Sequence, residues 1–205
     1  MSARFRAAFL LTFAAVVGPL GCSRSITLDV GYPDAGVNRA MLAAARPRRV
    51  DIRPVVDRRA DTARIGVQRA DGDKPIVTSR AVADIVREAL VSEVQKNGHA
   101  VAADNAELVL AADVDEFWLD AVAAYASVHY VGKVALSVAV VDARTGETLV
   151  TRRYVGIRRQ QAKRDDKQAG LEVMDIALSR ALHDLATDAE LAEAFGARLP
   201  RVRHL

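Results

Sequence analysis

Between residues 126 and 140 the chain alternates for fifteen residues, and no other feature restricts the fold as much. Ala126, Val128, Tyr130, Gly132, Val134, Leu136, Val138 and Val140 take the even positions, while Ser127, His129, Lys133 and Ser137 fall among the odd ones. A period of two sends successive side chains to opposite faces, so the stretch predicts a half-buried antiparallel strand with an apolar underside to cover. Asp142-Ala143-Arg144-Thr145-Gly146-Glu147 then reads as a hairpin loop, with Gly146 suited to a positive φ. Leu149 to Ile157 returns as the partner strand, and Arg152, Arg153, Arg158 and Arg159 blunt its exposed side against edge pairing.

Something must cover the apolar underside, and two segments have a helical period. After Ser79, a good N-cap, Val82, Ile85, Val86, Ala89, Leu90 and Val94 recur at three- and four-residue spacing, and Asn97-Gly98 stops the run. Leu171, Met174, Leu178, Ala181, Leu182 and Leu185 form a second stripe. Thr187-Asp188-Ala189-Glu190 matches a capping box opening a short last helix with Leu191 and Phe195. The predicted fold is a two-layer α+β domain: an antiparallel sheet, two main amphipathic helices packed on one face, and a short C-terminal helix. Further strands are expected around Val50–Ile52, with Pro54 at an edge or end, around Ile65-Gly66-Val67, and from Leu108 onward; Asp71 to Pro75 reads as a turn and Val101 as a connection.

The amino terminus carries a different signal. Arg4 and Arg6 precede an apolar run, Ala7 to Val17, that is too short to span a bilayer; Gly18, Pro19 and Gly21 then lead to Cys22. This is the three-part pattern of a secretory signal. Leu20-Gly21-Cys22 resembles a bacterial lipobox, with Pro19 standing where the pattern prefers leucine. The resemblance implies cleavage before Cys22, acylation of its sulfur and new amino group, and anchoring by several acyl chains, where a single chain binds only marginally. Serine at position 23 implies the periplasmic face of the outer membrane, with the inner membrane or the periplasm as alternatives. The expected organisation is a signal peptide over 1–21, an acylated terminus and flexible tether over 22–46, one periplasmic domain over 47–197 and a frayed tail over 198–205.

Charge and composition narrow the functional classes. The 205 residues hold 29 Lys and Arg against 26 Asp and Glu, and losing Arg4 and Arg6 leaves 27 against 26. Near neutrality gives no reason to expect a nucleic-acid partner. A single cysteine excludes a disulfide framework and a cysteine-based zinc site. His99, His129, His183 and His204 never recur at helical metal spacing, and no G-x-S-x-G elbow is present. We therefore expect no cofactor beyond lipid on Cys22, no metal and no enzymatic activity.

Two clusters remain as candidates. Asp57, Arg59 and Asp61 can form an arginine–carboxylate fork that fixes a loop, or recognise a partner's carboxylate; the structural role leads. Asp113, Asp115 and Glu116 are the core of the densest acidic stretch and would be the acid and base of a hydrolase, although pairing with arginines from neighbouring strands explains them more simply. Phe117 and Trp118 follow, and Trp118 is expected in the core.

Together these landmarks resemble the YajG-like family of bacterial lipoproteins: Cys22, the Asp57-x-Arg59-x-Asp61 cluster, a helix ending in Leu90 through Gly98 before a long strand pair, and Leu185…Asp188…Leu191…Phe195. The resemblance spans roughly residues 22 to 196. His99 stands where that family usually has an aromatic. The resemblance implies a small periplasm-facing outer-membrane lipoprotein with no assigned catalysis, and it supplies no ligand. Cys22, the tether and the missing catalytic set point to a membrane-tethered accessory that docks other envelope proteins. A small-ligand or peptidoglycan-binding module is the alternative.

Overall fold

The computed structural model describes residues 25–33, 40–69, 73–163, 166 and 168–198. Residues 1–21, Cys22 and Ser23 lie outside them, as do 199–205 of the expected tail. Among the described residues, nine strands form one sheet around a 16-residue trunk, β7 (Leu108–Ala123). On one side β7 pairs antiparallel with β8 (Ser127–Asp142), which pairs in turn with β9 (Thr148–Lys163). On the other side three short strands lie along β7 end to end, all parallel to it: β2 (Arg49–Ile52), β3 (Val56–Asp57) and β4 (Gly66–Arg69). β6 (Ala100–Val101) joins β2 in parallel. β5 (Lys74–Thr78) joins β4 antiparallel, and β1 (Ile26–Leu28) joins β5 in parallel.

The sheet is therefore mixed, which corrects the antiparallel expectation. Alternation reports that one face is buried and carries no information about the direction of the neighbouring strand. β2, β3 and β4 follow one another along β7 in a single direction, so each pairs with it in parallel. The connection from β5 to β6, which starts again beside β2, contains the 15-residue helix α1 (Val82–Lys96).

The register of β7 contains the feature that positions the candidate site. Pairing with β8 slips between Val114 and Glu116, a β-bulge. Before it, Leu108, Leu110, Ala112 and Val114 point into the core; after it, Phe117, Leu119 and Ala121 do. One extra residue keeps both halves apolar side inward and leaves Asp115 and Glu116, neighbours in sequence, on the same outer side.

The helical stripes fall where their spacing predicts. Val82, Ile85, Val86, Ala89, Leu90 and Val94 of α1 are buried, as are Met174, Leu178, Ala181, Leu182 and Leu185 of α2 (Ala169–Thr187). Each such aliphatic side chain contributes about 1.5–3 kcal/mol when fully removed from water. α2 lies on β8 and β9 so closely that a Cβ built on Gly156 would sit 1.9 Å from the Ala177 carbonyl oxygen. Only glycine permits that approach.

Several local expectations are corrected. Ala81, not Ser79, begins α1, and Ser79 Oγ instead donates to Asp29 Oδ1 at 2.8 Å. Lys74-Pro75 is strand, with Pro75 opposite Val67, and Val101 belongs to β6. Thr187 closes α2, its hydroxyl donating to the His183 carbonyl; Asp188 caps α3 (Ala189–Ala194), its Oδ1 accepting from the Glu190 and Leu191 amides. The other Asp188 oxygen accepts from the Tyr154 hydroxyl at 2.9 Å. Gly146 does take the positive φ, 74°, in the β8–β9 loop.

The stretch read as a tether also enters the fold. Leu28 and Val30 are buried, Leu42 is fully buried in a 3₁₀ turn at Met41–Ala44, and the Gly31 amide donates to Asp175 Oδ1 at 3.0 Å. The Tyr32 hydroxyl bonds Glu93, a carboxylate held inside α1 that also accepts from Asn97. A boundary at residue 47 thus falls within the folded unit. The alternation of Ile26, Leu28 and Val30 suits a short extended stretch, and Ile26–Leu28 forms strand β1 on the edge that β5 offers.

Candidate functional site

The two clusters nominated by the sequence meet at the bulge. A shallow cleft of about 350 Å³ is lined by Arg59, Ala60, Asp61, Asp115, Glu116 and Trp118, with Phe117 at its base. The segment after β3 supplies the first three, and the slipped register of β7 turns the last ones toward it.

Arg59 is buried and every arm of its guanidinium is engaged. Nε and Nη2 form a fork on the Asp57 carboxylate at 2.9 and 2.7 Å, while Nη1 donates to the carbonyls of Arg64 (2.9 Å) and Phe117 (3.3 Å). Arg59 therefore closes the β3–β4 loop on itself and ties it to the trunk strand. Burial pushes the Asp57 carboxyl up, but the Arg59 hydrogen bonds outweigh it and hold the group below the usual carboxylate range. Asp61 takes no part in the fork. It pairs with Arg64 Nε at 2.5 Å, and that hydrogen bond lowers its pKa. Arg64 in turn places its guanidinium carbon 5.8 Å from the centre of the Trp118 ring.

The acidic stretch lies on the face of the sheet opposite the core, and each member has a basic partner. Asp113 accepts from Arg58 Nε at 2.5 Å. Asp115 Oδ2 accepts from Ser137 Oγ at 2.7 Å and from Arg153 Nε, two strands away, at 3.0 Å. Glu116 pairs with Lys133 at 2.6 Å and Asp120 with Arg69 at 3.4 Å. A carboxylate pair for hydrolysis needs a proton-holding member and a free one; these carboxylates instead balance the bases across the sheet. Trp118 sits on this same outer face, only partly buried, and Phe117 is the core aromatic. The bulge is the reason, since without it the two rings would exchange sides. Among the described residues, no group of three or more His, Cys, Asp or Glu is arranged to hold a metal ion.

His129 and His183 are exposed, whereas His99 is interior. Its Nδ1 accepts from the Arg48 amide at 3.2 Å, which places the ring proton on Nε2, 3.2 Å from the Leu42 carbonyl. The ring packs on Phe195 at 4.9 Å between centroids. Burial lowers the His99 pKa, so the neutral imidazole is the folded form. This joint fastens the 3₁₀ turn, β2 and the end of α3.

With this fold and site, the chain is a mixed-sheet α+β protein with ion pairs laced across β7, β8 and β9. Its residues 41–195 match the Lipoprotein_16 family, described as uncharacterized lipoprotein, and the chain belongs to that family. Among solved structures it is similar to protein XCC0632 from Xanthomonas campestris, of family DUF330, with a TM-score of 0.57, 15% identity, 82% of this chain covered and 94% of that one. That likeness shows a shared fold. Weaker likenesses are to lipoprotein GNA1162 from Neisseria meningitidis (TM-score 0.39, 13% identity, 69% and 100% covered) and to a minor lipoprotein from Acinetobacter baumannii (0.41, 12%, 73% and 94%). No curated protein matches the chain in sequence. Among the described residues, no helix is long and apolar enough to cross a membrane.

Proposed function

We propose that this protein is a lipid-anchored envelope lipoprotein of the YajG type, acylated on Cys22, whose two-layer domain serves as a non-enzymatic docking accessory on the periplasmic face of the outer membrane. Membership of the lipoprotein family carries the reading. The short apolar run ending at Gly21-Cys22, and Ser23 after it, give that membership an attachment point and an address. The ion pairing of Asp113, Asp115 and Glu116 favours docking over hydrolysis, because each carboxylate is already committed to a base. Growing bacteria that express the full chain with labelled palmitate tests it. Wild type should carry label and fractionate with the outer membrane; Cys22→Ala should lose the label and become soluble. A Cys22→Ala chain that stays labelled and membrane-bound overturns the anchor.

The cleft between Asp61 and Trp118 favours a second reading, a module for a small ligand or a peptidoglycan fragment. A ligand that binds only the native state raises the Tm, so a muropeptide that raises it in wild type and not in Trp118→Ala supports this reading.

A further inference from the structure

The long ribbon β7–β8–β9 has a turn at each end, and the two are chemically unlike. The β8–β9 loop is charged: Asp142, Arg144 and Glu147 surround it, and Asp142 Oδ1 accepts from the Arg144 and Thr145 amides. The β7–β8 tip has no charged residue between Asp120 and His129, a run of Ala121, Val122, Ala123, Ala124, Tyr125, Ala126, Ser127 and Val128. Ala124, Tyr125 and Ala126 are exposed, Tyr125 at 97%, and Val122 beside them at 46%. A tyrosine so exposed adds no burial to the fold.

The register shows which end the amino terminus leaves from. Ile26 pairs with Ile76, Ile76 with Gly66, and Gly66 with Leu119, and β1 runs parallel to β5, which is antiparallel to β4 and so opposed to β7. Tracing the chain back from Ile26 therefore leads toward the Tyr125 tip. From the level of Leu119, six residues of strand carry the tip about 20 Å outward. Three residues separate Ile26 from Cys22, and those four Cα steps reach at most about 14 Å. With the strands upright, the tip outreaches the anchor.

We propose that the Tyr125 tip seats in the headgroup layer of the same bilayer that holds the acyl chains of Cys22; this rests on the anchoring reading above. A tyrosine suits that layer, with an apolar ring and a hydroxyl that stays wet. Tethering concentrates the tip at the surface, so one aromatic on a small uncharged loop suffices to orient the domain. Among the described residues, Arg69, Lys74 and Lys163 at this end are accompanied by Asp120, Asp73 and Asp166, so the contact is aromatic rather than polybasic and should change little with salt or anionic lipid.

The test uses full-length acylated protein from bacterial envelopes, in vesicles of phosphatidylethanolamine and phosphatidylglycerol whose acyl chains are brominated near the headgroup. In a Trp118→Phe background, Tyr125→Trp reports on the tip and Thr145→Trp on the opposite loop. The proposal expects at least twofold quenching and a blue shift for Tyr125→Trp, and neither for Thr145→Trp. Equal, negligible quenching of both on vesicle-bound protein overturns it while leaving the anchor intact. An unquenched Tyr125→Trp that is blue-shifted in native envelopes also overturns it, by assigning the tip to a protein partner. Protein that does not float with vesicles and has an unmodified Cys22 by mass defeats the anchoring reading, and this proposal falls with it.

Discussion

The two faces of the β7–β8–β9 ribbon share the same backbone and obey different physics. Toward α2 the rows are Leu, Val and Phe, fully buried, and the helix comes so near that Gly156 has no room for a side chain. On the other face the rows are Asp113, Asp115, Glu116, Lys133 and Arg153, joined across strands in solvent. Contacts on the covered face cannot be remade with water, whereas those on the open face can. The covered face therefore sets stability, while the open face contributes little to it.

The sharpest way to break this comparison is to exchange burial costs between the faces. Gly156→Val would force β9 and α2 apart and should destabilise the fold by about 3 kcal/mol or more, read as a lower midpoint in urea. Ile157→Ala, next in sequence but on the open face, should stay within about 1 kcal/mol. Similar effects for the two would end the distinction.

A finer comparison sets two polar side chains, each with two hydrogen bonds, side by side. His99 is buried, so His99→Leu should cost about 2 kcal/mol at pH 8, since the Arg48 amide and the Leu42 carbonyl are left without partners. The pH dependence follows from its lowered pKa. Below the ordinary histidine value of 6.5 the unfolded chain takes up a proton that the folded chain resists, so His99's contribution, full above 6.5, falls away as the pH drops toward the folded pKa. Urea midpoints of wild type measured from pH 8 to 5 should decline faster than those of His99→Leu. Parallel curves would mean that the imidazole is not shielded. The smallest effect is expected at Asp115, which also has two hydrogen bonds but lies at the open face: Asp115→Asn should change stability by less than about 1 kcal/mol.

How far each site could be read from the chain depended on range. Arg59 and Asp57 are two residues apart, so their fork was visible as a pattern of charge. Its further bonds to the Arg64 and Phe117 carbonyls were not, because the Phe117 carbonyl arrives from a strand 58 residues on. The pairing of Asp115 with an arginine was foreseeable from the arginine-rich strand, yet its seat beside Arg59 required the bulge. Trp118 was misplaced for the same cause: a one-residue slip reverses every later side chain, and nothing local in Asp113 to Trp118 announces it. Glu93 is a buried carboxylate of α1 whose partner, Tyr32, comes from the supposed tether, and that contact spans too much sequence to be read locally.

From the sequence alone came the repeating patterns: the period-two ribbon and its charged loop, both long helices and their buried stripes, and the cysteine that follows an apolar leader. Each depends on residues a few positions apart, where side-chain direction follows directly from backbone period. Only the tertiary structure decided that the sheet is mixed, that residues 26–33 and 40–44 contribute to the folded unit, which aromatic of Phe117-Trp118 is inside, and that β1 leads back toward the Tyr125 end. Those are questions of which distant segment supplies a strand edge or a covering face, and that choice is made by packing between elements rather than within them.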